Sequence, residues 1–347
     1  MNSPLLGVHA FYSSEIDEGQ FKSVELVCQL ASALYWRKSF GPIGLFTSPE
    51  RESQLVHYGL HNVYSFVDTV HHEQVVMHSN PRFWAYPKML TAKRLSLDFD
   101  KFCMLDTDLY IKTRENFNFD ANILTYHGEK TDSTKYPGVG YIPGEALYKR
   151  AELESPVKEW LPRAANTAIL YFNGVSEFIH EWMYHVDQII ENSHKWETII
   201  GAGDQIFVEQ YLLPNLAKER GVSVQTYLGA DWIPGEKLNV THFNPEMEGW
   251  ILKEPLEEAK LKFNNVFHIW GLKHNLNYAI VRQEILGRML SDLDQDFPEL
   301  DKSYPLLMAE VRELYKDQTD YGLGILTTDK LKAPKNGKSK KISPTST

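Results

Sequence analysis

The sequence predicts an α/β fold, with a mixed and mostly parallel sheet flanked by helices in a single domain. Apolar strand-like segments alternate with amphipathic segments in the first third of the chain, a pattern typical of parallel strands joined by helices. Hydrophobic residues make up 43% of the 347 residues and aromatic residues 12%, which is enough for a substantial core. No internal repeat or linker is visible before the end. We therefore expect one domain over residues 1–329 and a disordered tail over residues 330–347.

The first half of the chain gives the clearest elements. Apolar residues at helical spacing, with Arg37 and Lys38 in the last turn, predict a helix that ends at the Gly-Pro pair 41–42. Short buried runs on either side predict strands. The predicted strands cover 5–13, 43–48, 63–70 and 102–111, and the predicted helices cover 21–40, 53–60 and 83–97.

The second half is less regular. A long amphipathic segment predicts a helix over 176–192, and Gly221 stands where a glycine commonly ends a helix that we place at 204–221. The segment 130–146 is rich in glycine and proline, so we expect a loop. Further strands are predicted at 122–129, 167–174, 222–229 and 265–271, and a final helical stretch at about 278–317.

The charge is spread unevenly along the chain. Residues 330–347 contain six lysines and no acidic residue, so removing them from the total of −10 leaves −16 for the rest. An acidic body repels phosphate backbones, which makes bulk nucleic-acid binding unfavourable. An anionic ligand such as a nucleotide diphosphate would then need a bound cation or a few local basic residues.

The remaining composition favours a cytoplasmic protein. No apolar run approaches the roughly 20 residues of a membrane span, and the first residues lack the basic start of a secretory signal. Cys28 and Cys103 lie in apolar surroundings, which is typical of buried thiols in a reducing compartment.

Two acidic residues interrupt the apolar run FCMLDTDLYI. Asp106 and Asp108 converge if the strand continues through both, because residues i and i+2 of a strand share a face, or if it ends in a tight turn between them. Two adjacent carboxylates repel each other unless a cation lies between them. Hard divalent ions prefer carboxylate oxygen, and ligands of open α/β sheets bind beyond the carboxyl ends of the strands. The pair therefore predicts a cation site at that edge.

Two other interpretations of the pair remain open. Asp106 could cap the following turn while Asp108 is merely exposed, since Asp-x-Asp alone is a common pattern. A haloacid-dehalogenase-type phosphotransferase also places Asp-x-Asp after a buried strand, with the first Asp as nucleophile. That class carries Thr or Val two residues after the motif and places the motif near the start of the chain. Here Tyr110 stands at that position, and the motif lies more than 100 residues into the sequence.

Four further segments accompany the pair along the chain. The predicted helix FWAYPKMLTAKRL, which contains Lys88, precedes the acidic pair. The segment ANTAILYFNG, which contains Asn166, follows the acidic pair. After it come the pair Asp204–Gln205 and the segment HIWGLKHN. Together these segments resemble GT-A-fold glycosyltransferases of family 8, the type of glycogenin and bacterial lipopolysaccharide sugar transferases, and uncharacterised bacterial and viral relatives. The similarity covers roughly residues 5–280 and implies a GT-A-like, Rossmann-like nucleotide-binding sheet.

The resemblance implies a retaining, metal-dependent transfer of a sugar from a nucleotide sugar, with a UDP-sugar as the expected donor, to an acceptor. Asp106, Asp108 and His268 would bind Mn²⁺ or Mg²⁺, which stabilises the departing diphosphate as a Lewis acid. The other implied contacts are Lys273, Gly271 and Lys88 near the phosphates, Tyr12 at the base and ribose, and Asn166, Asp204 and Gln205 facing the donor sugar and the acceptor.

The last segment departs from the family pattern. Lys273 follows His268 by five residues where six is usual, His274 takes the sixth place, and Asn275 replaces a Pro or Trp. A non-catalytic module that binds a nucleotide sugar or glycan therefore remains an alternative. The acceptor is left open among a glycan, a lipid-linked sugar, a protein and a modified nucleobase, and so is the oligomeric state.

Overall fold

The computed structural model describes residues 4–12, 21–69, 85–130, 144–161, 163–192, 207–228, 231–232, 265–269 and 279–319. The strands are β1 Leu6–Phe11, β2 Ile43–Thr47, β3 Phe66–Asp68, β4 Lys101–Leu105, β5 Leu109–Ile111, β6 Ile123–Lys130, β7 Arg163–Asn173, β8 Val224–Thr226, β9 Asp231–Trp232 and β10 Val266–His268. The helices are α1 Lys22–Ser39, α2 Pro49–His57, α3 Tyr86–Leu95, α4 Gly144–Arg150, α5 Ser176–Asn192, α6 Leu212–Glu219, α7 Ala279–Asp296, α8 Leu300–Ser303 and α9 Pro305–Lys316. A 3₁₀ turn covers Leu60–Val63 and a π-helical turn covers Phe207–Tyr211.

The strands form a mixed, mostly parallel sheet, which confirms the predicted fold class. Its order is β3-β2-β1-β4-β7-β6-β8, and β9 also pairs with β6. Strands β3, β2, β1 and β4 are mutually parallel, and β7 is antiparallel to both of its neighbours. A separate ribbon pairs β5 with β10 in antiparallel register. The carboxyl ends of β1, β2 and β4 therefore meet at one edge, where the predicted site residues follow.

Alternation along β4 divides the interior into two cores. Phe102 and Met104 face one side of the sheet and Cys103 and Leu105 face the other, as period 2 requires of a strand buried on both faces. One core is closed by α1, α7 and α9, and the other by α3, α5 and α6. The sheet is thus shared by both cores, and the described residues form one domain. Cys28 and Cys103 are both buried, as expected.

Element bounds shift where local chemistry competes with the apolar pattern. The helix predicted at 53–60 begins at Pro49 instead, because Ser48 Oγ accepts a hydrogen bond from Arg51 N (3.2 Å) and Pro49 suits the first turn. The strand predicted at 167–174 starts at Arg163, so Asn166 lies inside β7. The final helical stretch is divided into α7, α8 and α9.

No helix among the described residues is long and apolar enough to cross a membrane. The tail 330–347 and most of the predicted loop 130–146 lie outside the described residues.

Candidate metal centre

The acidic pair lies in a tight turn, not in a continuous strand. Strand β4 ends at Leu105, and Leu109 N donates to Asp106 O at 3.3 Å, closing the turn. Asp106 N also donates to Ala168 O of β7 at 3.0 Å, which fixes the start of the turn against the main sheet. The predicted single strand 102–111 is therefore wrong. The turn redirects the chain, and β5 leaves the main sheet to pair with β10.

The ribbon of β5 and β10 brings a histidine to this turn. His268 is paired with Leu109 in the register, and Ile269 N donates to Asp108 O at 3.0 Å. His268 Nε2 lies 3.5 Å from Asp108 Oδ1, and the two side chains are only 5% and 17% exposed. The ring of Tyr126 stands edge-on to the imidazole, with centroids 5.2 Å apart. Backbone pairing thus holds the imidazole beside the carboxylate.

Asp106, Asp108 and His268 form a group that could hold a metal ion. One ligand atom from each lies within 4.8 Å of the others. Two carboxylate oxygens and an imidazole nitrogen suit a divalent ion that also takes ligands from a substrate. The Asp106 side chain is 38% exposed, so the group opens towards solvent on that side. The three predicted ligands therefore come together, and their donor chemistry fits a divalent cation.

Lys88 of α3 lies behind the turn. Its ammonium donates to Asp106 Oδ1 (2.7 Å), to Thr167 O (2.5 Å) and to Glu209 Oε1 (3.3 Å), and its side chain is 8% exposed. Burial acts to lower the pKa of Lys88, but the carboxylates of Asp106 and Glu209 outweigh burial and raise it above its usual value. A fourth oxygen, Thr167 Oγ1, lies 3.4 Å from the ammonium. The contacts seen for Lys88 are thus to protein oxygens, and a phosphate contact stays a prediction.

Glu209 is a site residue that the sequence analysis did not identify. It is buried, and its Oε1 accepts from Thr167 Oγ1 at 2.5 Å as well as from Lys88. It falls within the helix predicted over residues 204–221. The available signal was a single carboxylate among apolar neighbours in IFVEQYLL, since acidic side chains are rarely buried without a partner.

Asn166 lies in β7, next to the turn. Its Oδ1 accepts from Ala168 N at 3.1 Å, and Ala168 in turn receives the hydrogen bond from Asp106 N. Across the ladder it pairs with His127 of β6, beside a shift of register. Burial, with a smaller contribution from the nearby His268, lowers the pKa of His127 to about 3. Asn166 thus supports the backbone that carries Asp106, and a contact with sugar stays a prediction.

Tyr12 follows β1 at the carboxyl edge of the sheet. Its hydroxyl is hydrogen-bonded to Thr91, and burial raises the pKa of Tyr12 to about 12. The ring lines a cavity of about 270 Å³ beside α3, together with Phe46, Leu90 and His180. Its predicted contact with a nucleobase stays a prediction.

Comparison with known sequences gives a family. A family model described as "Family of unknown function (DUF6734)" matches residues 20–250. The chain belongs to the DUF6734 family. The matched range includes Asp106 and Asp108 and ends before His268. No curated protein matches the chain.

Several solved structures are similar to this DUF6734 member. Mouse xyloside xylosyltransferase 1 is 13% identical with a TM-score of 0.40, over 76% of this chain and 96% of that one. The galactosyltransferase LgtC, with donor and acceptor sugar analogues, is 12% identical with a TM-score of 0.37, over 77% and 87%. The WbbM bifunctional glycosyltransferase is 14% identical with a TM-score of 0.41, over 89% and 52%. All three are glycosyltransferases by name.

Four of the predicted site residues of this DUF6734 member, Asp204, Gln205, Gly271 and Lys273, lie outside the described residues. Their predicted roles stay predictions.

Proposed function

We propose that this protein is a metal-dependent glycosyltransferase that moves a sugar from a nucleotide sugar, with UDP-sugars as the first candidates, to an acceptor. The observation that carries the proposal is the group formed by Asp106, Asp108 and His268, whose ligand atoms lie within 4.8 Å of one another. The group follows β4 at the carboxyl edge of the sheet, where open α/β sheets bind their ligands. The sequence segments around the group are those that resemble glycosyltransferase family 8.

The charge of the chain supports a cation between protein and donor. A diphosphate brought to an acidic body meets repulsion, because the residues before the tail carry −16 once the six tail lysines are removed from the total of −10. A divalent ion held by Asp106, Asp108 and His268 would offset that repulsion locally. When bound, Mn²⁺ or Mg²⁺ supplies Lewis-acid stabilisation of the charge that develops on the departing diphosphate.

The residues of the chain have separate roles in this proposal. Asp106 and Asp108 bind and orient the ion, and Asn166 holds the backbone at Ala168 that fixes Asp106. Tyr12 contacts the base and ribose. The further proposed contacts are Lys273 and Gly271 at the phosphates and Asp204 and Gln205 at the donor sugar and the acceptor. The reaction is proposed to retain the anomeric configuration of the sugar. It is proposed to take place in the cytoplasm. The acceptor is proposed to be a glycan, a lipid-linked sugar, a protein or a modified nucleobase.

Calorimetric titration of UDP and a panel of UDP-sugars, with Mn²⁺ and again with EDTA, tests the proposal. We expect binding that requires Mn²⁺ and favours one sugar. Asp108→Asn should abolish this binding while the thermal unfolding temperature stays close to that of the wild type. Unchanged affinity in Asp108→Asn, or binding that EDTA leaves intact, would contradict the metal site.

The same titrations separate the transferase from a binding module. Release of UDP from the preferred UDP-sugar, measured with and without candidate acceptors, is expected for the transferase. Mn²⁺-dependent binding without any UDP release would instead favour the non-catalytic module.

A further inference from the structure

Glu209 is buried and forms an ion pair with Lys88. It lies in the π-helical turn Phe207–Tyr211, and its side chain is 7% exposed. π-helical turns are rare and occur frequently at functional sites. Two side chains satisfy carbonyl groups of this turn: Trp182 Nε1 donates to Val208 O (3.0 Å) and Asn215 Nδ2 donates to Tyr211 O (2.8 Å).

Lys88 forms ion pairs with two carboxylates, those of Asp106 and Glu209. An ammonium group has three N–H donors, and the nearest oxygens here are Asp106 Oδ1, Thr167 O and Glu209 Oε1, with Thr167 Oγ1 slightly further away at 3.4 Å. Asp106 is also a candidate ligand of the cation, whereas Glu209 is outside the group of candidate ligands. Lys88 next to Asp106 alone would cancel half the charge of the acidic pair and compete with a cation for the same oxygen.

Counting the charged groups shows what Glu209 adds. Asp106, Asp108 and Glu209 carry three negative charges in their ionised forms, and Lys88 carries one positive charge, so the cluster has a net charge of −2. That value matches one divalent cation. Without the Glu209 carboxylate the cluster would have a net charge of −1.

We propose that Glu209 is a positioning residue that neutralises Lys88, so that Asp106 keeps its charge for a divalent cation. This inference rests on the proposed metal site. In this proposal the buried Lys88–Glu209 pair determines the net charge of the cluster. Thr167 orients the pair, because its hydroxyl donates to Glu209 and its carbonyl oxygen accepts from Lys88. Glu209 acts through Lys88 and Asp106 and makes no contact with the cation.

Titration of the full-length protein with Mn²⁺ alone, followed by the electron paramagnetic resonance signal of free Mn²⁺, tests the proposal. Glu209→Gln keeps the size of the side chain and an oxygen that accepts from Thr167, but removes the charge. We expect Mn²⁺ affinity to fall on the order of tenfold, because the charge of a poorly solvated cluster changes by one unit. Glu181→Gln is the matched control, since it removes a carboxylate that pairs with Arg220 on the surface, and its Mn²⁺ affinity should equal that of the wild type.

The double variant Lys88→Met/Glu209→Gln decides whether charge is the cause. It returns the cluster to −2, so Mn²⁺ affinity should recover to within about threefold of the wild type. A purely structural role for Glu209 would give no recovery, because the double variant disturbs the packing more than Glu209→Gln does. Thermal unfolding of each variant checks that the fold is retained.

The outcomes also separate this inference from the proposed function. If the wild type fails to bind Mn²⁺, or Asp108→Asn binds it equally well, the metal site itself is wrong. If the wild type binds Mn²⁺, Asp108→Asn loses it and Glu209→Gln keeps the full affinity, only the role of Glu209 is overturned.

Discussion

His268 Nε2 lies 3.5 Å from Asp108 Oδ1, although the two residues come from distant parts of the chain. The contact exists because β5 begins immediately after Asp108 and β10 ends at His268, and the two strands pair with each other. The imidazole is therefore positioned by backbone hydrogen bonds and by the edge of Tyr126. The imidazole adds one nitrogen ligand atom to a group whose other ligand atoms are carboxylate oxygens.

That contact predicts a metal preference that depends on His268. Imidazole suits later transition metals, whereas carboxylates suit Mg²⁺ and Mn²⁺. We expect His268→Asp to lower the ratio of Co²⁺ to Mg²⁺ affinity on the order of tenfold, measured by competition with bound Mn²⁺. His180→Asp, on α5, is the matched control. An equal ratio in wild type and His268→Asp would show that His268 is not a ligand.

A second prediction concerns the anchoring of β5. Asp292 of α7 accepts from the Tyr110 hydroxyl (2.7 Å) and forms an ion pair with Lys112, and its side chain is 14% exposed. Asp292→Asn should lower the free energy of unfolding by about 1–3 kcal/mol, because the charge-assisted contacts of a largely buried group are weakened. Urea denaturation measures this change.

The control for Asp292 lies two residues further along the same helix. Asp294 pairs with Arg312 and is 50% exposed, so Asp294→Asn should change stability by less than about 1 kcal/mol. Equal losses in the two variants would argue against a special role for the Asp292 anchor.

A third prediction is a pH dependence that arises from His9. The side chain is fully buried between Tyr64 and Ser32, at 2.9 Å from each hydroxyl, and burial lowers its pKa from 6.5 to about 3. Above pH 6.5 both folded and unfolded states hold a neutral imidazole, so His9 gives no pH dependence there. Between pH 6.5 and about 3 only the unfolded state binds the proton, so stability falls as the pH falls.

His9→Gln should remove this dependence while keeping a neutral hydrogen-bonding side chain. We expect the slope of unfolding free energy between pH 6 and pH 4.5 to decrease by about 1.4 kcal/mol per pH unit relative to the wild type. Urea denaturation at several pH values gives both slopes. Parallel curves for the two proteins would show that His9 is protonated in the folded state.

Much of the sheet followed from local pattern. The predicted strands at 5–13 and 43–48 and the helices at 21–40 and 176–192 correspond closely to observed elements, because each has strong apolar periodicity and clear ends. Weaker segments were less well predicted. The strand predicted at 63–70 is reduced to Phe66–Asp68 among the described residues, since the parallel pairing with β2 covers only those residues.

The local sequence pattern does not determine the backbone geometry of the acidic pair. The sequence left two geometries for Asp106 and Asp108, and both bring the carboxylates together. Choosing the turn requires the hydrogen bonds from Asp106 N to Ala168 O and from Ile269 N to Asp108 O, which depend on β7 and β10 being in place. Short-range rules do not include those partners.

The sequence by itself determined an α/β sheet, two adjacent carboxylates at the end of a strand and an acidic body that favours a bound cation. The family resemblance proposed His268 as the third ligand, and the tertiary structure shows it beside the pair. Only the tertiary structure decided that Glu209 shares the charge of Lys88. The physical reason is that alternation and helical periodicity act between neighbours in the chain. The charges of a site are instead set by side chains that the sheet brings within a few ångströms from distant segments.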